Sequence, residues 1–467
     1  MPVKAHNPHR RTALRAVLLG IAGAIAWPTR AASRQQFDIR AYGAKGDGTT
    51  PDTQAIQRAI DAAAAAGGGA RVLLPRGRYP IGPVELRGGI DFHLARGAEI
   101  LVITRPEDYG DARGVLHALG AKGLTISGGG TIDGRSSEFM ERYDSENEWW
   151  VPRKFRPRLL VLEDCEDLTI RGITLRQAPS WTVHLLGCRR VTIDGIAIRN
   201  QLDVPNCDGI DPDHCQDVTI RNCRITCGDD AIVIKTTAGN DRYGPSRNIV
   251  VQDCVLETQD SGLKIGTETT QDVHDVLFER CRIVSSCRGL CIQLRDQGNV
   301  YNIAFRDITL VSRYHSGPWW GRGEAISFTA IPRTPETALG TIHHVAVRNV
   351  QATAENSVRI DGWPGARISD ITLDKVRVAL ARWTRYPGGV FDNRPTKAGE
   401  SLERHDTPGF FVRHADRVAL TDCEVTWKDP PATFTHALQA VDVTALTHHG
   451  FRGQAAHPGR DAAIVAE

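Results

Sequence analysis

The sequence predicts an all-β chain wound as a single-stranded right-handed parallel β-helix, with one short capping helix near its start. Three observations carry that expectation. A run of alternating apolar and polar residues recurs along the chain, begun in turn by Leu124, Leu168, Val191, Val218, Ile249, Val276, Ile303, Val345, Ile371 and Val418. Within each run, as in Val218-Thr219-Ile220-Arg221, β-branched residues alternate with polar ones, and Asn, Asp or Gly follows at a bend. That is the pattern of a strand with one buried face. Helical periodicity is nearly absent after residue 66, which argues against a globular α/β chain, because such a chain needs helices between its strands. Coils of this kind stack strand on strand and bury a common apolar column.

The N-terminus reads as a twin-arginine export signal over residues 1–32. Arg10-Arg11-Thr12-Ala13-Leu14-Arg15 precedes the small apolar run Ala16 to Trp27, and Ala31-Ala32-Ser33 supplies a cleavage site near Ala32. The apolar run is shorter than the ~20 residues of a spanning helix, which favours an exported chain, periplasmic or extracellular, over an anchored one. The remainder, 33–467, is expected to form one β-helix domain acting as a monomer, with no membrane attachment after cleavage. Its first part, 33–110, holds the cap and first coils. There the Gly-rich Tyr42-Gly43-Ala44-Lys45-Gly46-Asp47-Gly48 lacks the Lys-Ser/Thr ending of a nucleotide loop and reads as a tight turn. It leads into the amphipathic segment Thr53 to Ala66, ended by Gly67-Gly68-Gly69. A helix here covers the open apolar end of the solenoid and its unpaired strand edge.

Residues 111–376 hold the central coils. Intervals of 23 to 31 residues between runs fit one coil, and intervals of 42 to 47 fit two coils or one with an insertion. From about Arg377 the repeat loosens. Residues 377–467 are expected as irregular coils and a tail, with Arg382 to Thr407 and Asp429 to Glu467 as loops or cap.

Eleven cysteines in an exported chain suggest disulfides, but Cys223, Cys254, Cys281 and Cys423 each fall five residues after the start of a run. Ile173, Ile196, Ile308, Val350 and Val376 hold the same place elsewhere, so these cysteines are expected as a stacked ladder of small hydrophobes. Cys207 with Cys227 and Cys287 with Cys291 remain open as pairs, and no set has zinc-ligand spacing. Lys and Arg number 57 against 55 Asp and Glu, a formal net charge of +2. That balance excludes nucleic-acid binding through a broad basic field, and a polyanionic substrate would need a local basic groove.

The chemistry concentrates in Asn206-Cys207-Asp208-Gly209-Ile210-Asp211 and Gly228-Asp229-Asp230. Asp208 and Asp229 are 21 residues apart, about one coil, which puts them on adjacent rungs roughly 4.8 Å apart. Carboxylates crowded in this way repel and desolvate one another, so one keeps a proton near neutrality while its neighbours ionise. Glycoside hydrolysis uses that division of labour. Asp is also common at solenoid bends, which is the structural alternative for all three.

Around these motifs the segment APSWTVHLLGCRRVTIDGIAIRNQLDVPNCDGIDPDHCQDVTIRNCRITCGDDAIVIKT resembles the central region of the polygalacturonase family, glycoside hydrolase family 28. YGAKGDGTTPDTQAIQRAID resembles the opening of many pectin-active β-helices. The resemblance covers roughly residues 36–330. It implies an inverting hydrolase of pectic polysaccharides that needs no metal or organic cofactor. It places the family's NTDG motif on Asn206 to Gly209 and its aspartate pair on Asp229 and Asp230. Asp229 would then be the general acid, with Asp208 and Asp230 activating the water. Inversion requires roughly 6.5–9.5 Å between acid and base, a span expected of side chains on adjacent coils.

The chain departs from the family pattern at two places. Gly-His-Gly falls on Asp260, Ser261 and Gly262, so the histidine near the acid is absent, and Arg-Ile-Lys falls on Cys291, Ile292 and Gln293, so both cations that would meet a galacturonate carboxylate are absent there. Arg295, two residues beyond Gln293 and on the same strand face, together with Lys264 and Arg288, is a candidate replacement, with Glu268 orienting one of them. Solvated surface charge is the alternative for each, and it would favour a neutral or deoxy sugar. His184 matches a histidine frequent in the family and is placed in the groove, with a satisfied structural histidine as the alternative and Trp181 beside it as groove wall or packing. Trp319-Trp320 and Trp149-Trp150 are open between sugar stacking and loop packing. Two other classes share this architecture: a calcium-dependent polysaccharide lyase and a non-catalytic carbohydrate-binding β-helix.

Overall fold

Each coil turns its corners on residues that tolerate a left-handed backbone. The residue before each repeated run (Asp167, Arg190, Asp217, Asn248, Asp275, Asn302, His344, Asp370, Arg417) has φ between 54° and 58°. A second such column, Gly172, Gly195, Asn222, Asp253, Arg280, Asp307, Asn349, Lys375 and Asp422, lies five residues further along. Asn, Asp and Gly adopt this conformation at least cost, which is why they recur at the bends. Stacked corner side chains also bond along the column, as Asn248 Nδ2 does to Asp217 Oδ1 at 3.0 Å and Asn302 Nδ2 to Asp275 Oδ1 at 3.1 Å.

The structure, a computed structural model, describes residues 34–467; the export signal expected at 1–32 lies outside the described residues. The chain forms a right-handed parallel β-helix with three strand columns. The first column runs through Val183–Leu186, Ile210–Asp213, Ile232–Thr236, Ser261–Thr269, Arg288–Leu294, Glu324–Ala330 and Val358–Asp361. The second holds the repeated runs, and the third holds short strands such as Arg224–Cys227 and Val255–Thr258.

In the column of repeated runs, register follows the sequence repeat without a slip. Leu168, Val191, Val218, Ile249, Val276, Ile303, Val345, Ile371 and Val418 pair in succession. All face the core, none more than 2% exposed. The long intervals are therefore single coils carrying insertions. Three of these matter below: a hairpin of Met140–Asp144 against Trp149–Pro152, a loop at 313–323, and a loop at 382–407 containing the hairpin Val390–Asp392 with Leu402–Arg404. All three leave the solenoid between the third and first columns.

Thr53–Ala66 is the expected helix, burying Ala55, Ile56, Ala59, Ile60 and Ala63 against the first coils. The turn before it is closed by Asp52, whose carboxylate accepts the backbone N–H of Lys45 at 2.6 Å and of Gly46 at 3.0 Å. Those donors are thus committed within the chain. All eleven cysteines are free and buried, so neither open pair is bridged. The Cys207 sulfur instead accepts the Gly228 N–H at 3.0 Å. A second ladder, Cys165, Cys188 and Cys215, lies three residues before the runs, a column the sequence reading missed. The C-terminal segment is more regular than expected: Leu438–Thr447 pairs with Phe410–Thr421 in the same register, and Ile464–Ala466 pairs with Leu438–Thr447 in turn. No helix among the described residues is long and apolar enough to cross a membrane.

Candidate active site

The corner between the third and first columns brings the motif aspartates together. Asp208 precedes the strand Ile210–Asp213, Asp229 and Asp230 precede Ile232–Thr236, and Asp260 precedes Ser261–Thr269. The rungs lock through Gly209 N–H donating to Asp230 O at 2.9 Å and Ala231 N–H to Ser261 O at 2.9 Å. Two glycines make this approach possible. A Cβ on Gly209 would lie 2.2 Å from Ala231 O, and one on Gly228 would lie 2.1 Å from Val204 O. The glycines of both motifs thus follow from backbone contact between coils. Gly209→Ala is expected to destabilise the chain by about 1–3 kcal/mol through overpacking, read as a shifted denaturation midpoint; an unshifted midpoint would show that the corner relaxes freely.

Asp208, Asp229 and Asp230 each offer a carboxylate oxygen, all within 4.8 Å of one another. A divalent ion would find its first oxygen ligands here, but two ammonium groups already lie among these carboxylates. Lys264 Nζ donates to Asp230 at 2.7 Å, and Lys235 Nζ lies 3.5 Å from Asp208, 3.4 Å from Asp211 and 3.8 Å from Glu268. Around them is a cavity of about 340 Å³, walled by Trp149, Trp181, Trp319 and Trp320, with Asn206, Asp260, Thr267 and Glu268 also on its surface.

Burial governs the charges. Asp229 is pushed up to about 8 by burial, then by the negative charges of Asp208 and Asp230. It wins this shift against two backbone donors, Asn206 N–H at 3.0 Å and Asp230 N–H at 2.9 Å. Asp208 is held well above the usual carboxylate range by burial and by Asp211. Burial also raises Asp211 to about 7 despite Lys235 and Arg158, and neither of its carboxylate oxygens has a hydrogen-bond partner. The ammonium of Lys235 is opposed by burial, yet Asp208, Glu268 and Asp211 carry it well above its ordinary range.

The other expected site residues divide. Asn206, Lys264 and Glu268 line the cavity, the Asn206 side chain being held by Arg156 at 2.9 Å. Ser261 is fully buried behind it and bonds Asp260. His184 is not in the groove. Its Nδ1 meets Arg158 at 2.7 Å and its Nε2 meets Asp213 at 3.2 Å. Since Arg only donates, Nδ1 accepts and the ring is the neutral Nε2–H tautomer, in line with the downward push of burial on its basicity. Arg158 in turn lies 4.0 Å over Trp181, so His184 braces the cavity wall from beneath. Gln293 and Arg295 are not in the cavity either. Gln293 Nε2 donates to Arg394 O at 3.3 Å, and Arg295 is spent on Leu294 O, Thr329 and Asn393 O. Arg288, fully buried, donates to Asp392 O at 2.9 Å. Strand parity put Arg295 on the same outer face as Gln293, and the 382–407 loop lies over that face and over Arg288. Trp150 packs on Tyr143, whereas Trp149, Trp319 and Trp320 reach the cavity. Sequence reasoning missed Lys235, although it lies at the outward parity of the strand that follows the aspartate pair.

Known proteins resemble the chain along most of its length. A grapevine (Vitis vinifera) protein named a probable polygalacturonase is 28% identical over 371 residues, covering 73% of each chain. A solved exopolygalacturonase from Thermotoga maritima superposes with a TM-score of 0.60 at 24% identity, over 74% of this chain and 87% of its own. One from Yersinia enterocolitica gives 0.64 at 17% identity, over 93% and 78%. Residues 36–92 match a rhamnogalacturonase A/epimerase, pectate lyase-like family. Residues 82–386, which contain every cavity aspartate, match the profile of glycosyl hydrolases family 28, and the chain belongs to that family of glycoside hydrolases.

Proposed function

We propose that the protein hydrolyses a pectin-like polysaccharide, of polygalacturonan or rhamnogalacturonan type, by carboxyl acid–base catalysis with inversion. The observation that carries this reading is the three-aspartate corner, in which burial pushes Asp229 and Asp208 toward their protonated forms while Asp230 is ion-paired to Lys264. Asp229 opens on the cavity and keeps its proton near neutrality, as a general acid for the glycosidic oxygen must. Asp230, paired with Lys264, and Asp208, beside Lys235, flank the place for the attacking water. Inversion is supported by the family resemblance rather than by the carboxyl spacing. The lysines supply positive charge where a lyase would place calcium, which favours hydrolysis. Export through the twin-arginine signal belongs to the same reading, since the substrate class is extracellular.

The test is reducing-end release from polygalacturonan, rhamnogalacturonan and other glycans, with and without chelator, while the first-formed anomer is followed by NMR. Release that survives chelator and yields the inverted anomer is expected. A retained anomer would remove inversion. Chelator-sensitive release of an unsaturated, ultraviolet-absorbing product would replace hydrolysis by lyase chemistry. Binding without release from any glycan would leave a carbohydrate-binding protein.

A further inference from the structure

The three insertions meet above the catalytic corner, and one carboxylate joins them. Glu148, at the tip of the 140–152 hairpin, bonds Arg385 and, at 2.6 Å, Tyr386 Oη, both from the 382–407 loop. Its other neighbour, His315 Nε2 at 3.8 Å, comes from the 313–323 loop. The same contact is reinforced by Ser316 Oγ donating to Asn147 O at 2.6 Å and by Trp149 edge-on to Trp319 with centroids 6.0 Å apart. The hairpin leaves the solenoid before the aspartate coils, and the two loops leave after them. Their junction is therefore an arch across the corner.

A second closure lies on the first column beyond the aspartates. The outward residues in register with Lys264 are Cys291, Ser327 and Arg359. None is more than 1% exposed. The 382–407 loop covers them: Arg394 O accepts Gln293, Asn393 O accepts Arg295, and Asn393 Oδ1 accepts Arg359 at 2.6 Å. The same loop is pinned to the 313–323 loop by Gly321 N–H donating to Asp392 at 2.9 Å and Arg394 to Trp319 O at 2.8 Å. A polymer lying along the outer face of the solenoid would run into this wall directly after the aspartates.

We infer that the insertions, latched at Glu148, convert the open face of the β-helix into a blind pocket, so that the enzyme removes short units from chain ends and does not cut within the chain. This inference rests on the hydrolase reading above. The cavity, about 340 Å³, lies at the small end of ligand pockets, which run roughly 300–1,000 Å³. It admits the end of a glycan while the walls stop its continuation. With two faces of the pocket set by loops, specificity for the terminal unit lies in Trp149, Trp319 and Trp320 as much as in the motif coils.

The experiment follows viscosity and reducing ends together on whichever glycan the wild-type protein cleaves, with product sizing from the earliest time points. One short product from the start, with viscosity falling only in step with released ends, is expected. A ladder of oligosaccharides with an early collapse of viscosity would overturn the inference while leaving the hydrolase reading intact. No release from any glycan would remove both. Glu148→Ala cuts the latch without touching the aspartates, and a severalfold rise in the share of internal products is expected. An unchanged product distribution in a folded Glu148→Ala protein would overturn the latch.

Discussion

Asp229→Asn is expected to lower kcat by about 10²–10⁴, the range of a lost general acid, while KM changes little. The amide fills the same space and keeps one acceptor for the backbone N–H groups of Asn206 and Asp230, so substrate still enters, but no proton is available for the departing oxygen. The pH profile gives an independent readout. An acid works only while protonated, and burial with the charges of Asp208 and Asp230 holds Asp229 up to about 8. Wild-type kcat/KM should therefore decline as pH rises through about 8, and the residual activity of Asp229→Asn should lack that limb. A variant that retains a large share of kcat, or a wild-type enzyme undiminished well above that pH, would remove Asp229 from the acid role.

The solenoid was legible in the sequence because its determinants are local and repeated. A β-branched run fixes each strand, and Asn, Asp or Gly fixes the left-handed corner at its end. Once every run start pairs with the next, as Val218 does with Ile249, the register of the run column follows. The aspartate corner was legible for the same reason: one coil of spacing puts Asp208 beside Asp229. What sequence did not disclose was the path of the insertions. No periodic constraint acts on residues 382–407, so nothing in the chain signalled that Asp392, Asn393 and Arg394 lie over Arg288, Gln293 and Arg295. The parity argument that set Gln293 and Arg295 on one outward face was sound, and it failed as a site assignment because outward is not exposed when a distant loop folds back.

That loop also sets the largest stability effect. Asp392 is 1% exposed, and its carboxylate takes Gly321 N–H at 2.9 Å, Arg394 Nε at 2.8 Å and Arg394 Nη2 at 2.6 Å, with Arg288 3.7 Å away. Burial opposes its charge, yet Arg394 and Arg288 hold the carboxyl well below the usual carboxylate range. Arg288 is fully buried, with Nε and Nη1 lacking hydrogen-bond partners. Asp392→Ala would take the nearest carboxylate from that guanidinium, leaving it the carbonyl of residue 392 and Asp260 at 3.9 Å, so the cost is at most the ~3–5 kcal/mol of a broken buried pair. Because the loop is an insertion, it is expected to undock before the coils melt. The variant should therefore gain protease cleavage within 382–407 and an early transition in denaturant, with the coil transition preserved. The pH dependence has a definite sign. A depressed carboxyl contributes stability above its unfolded value, near 3.9, and loses it as pH falls through the folded value, so wild type and variant should converge in acid. A single unshifted transition with no new cleavage at neutral pH would mean that the loop is held by its neighbours alone. In that event the wall over the first column would not depend on Asp392.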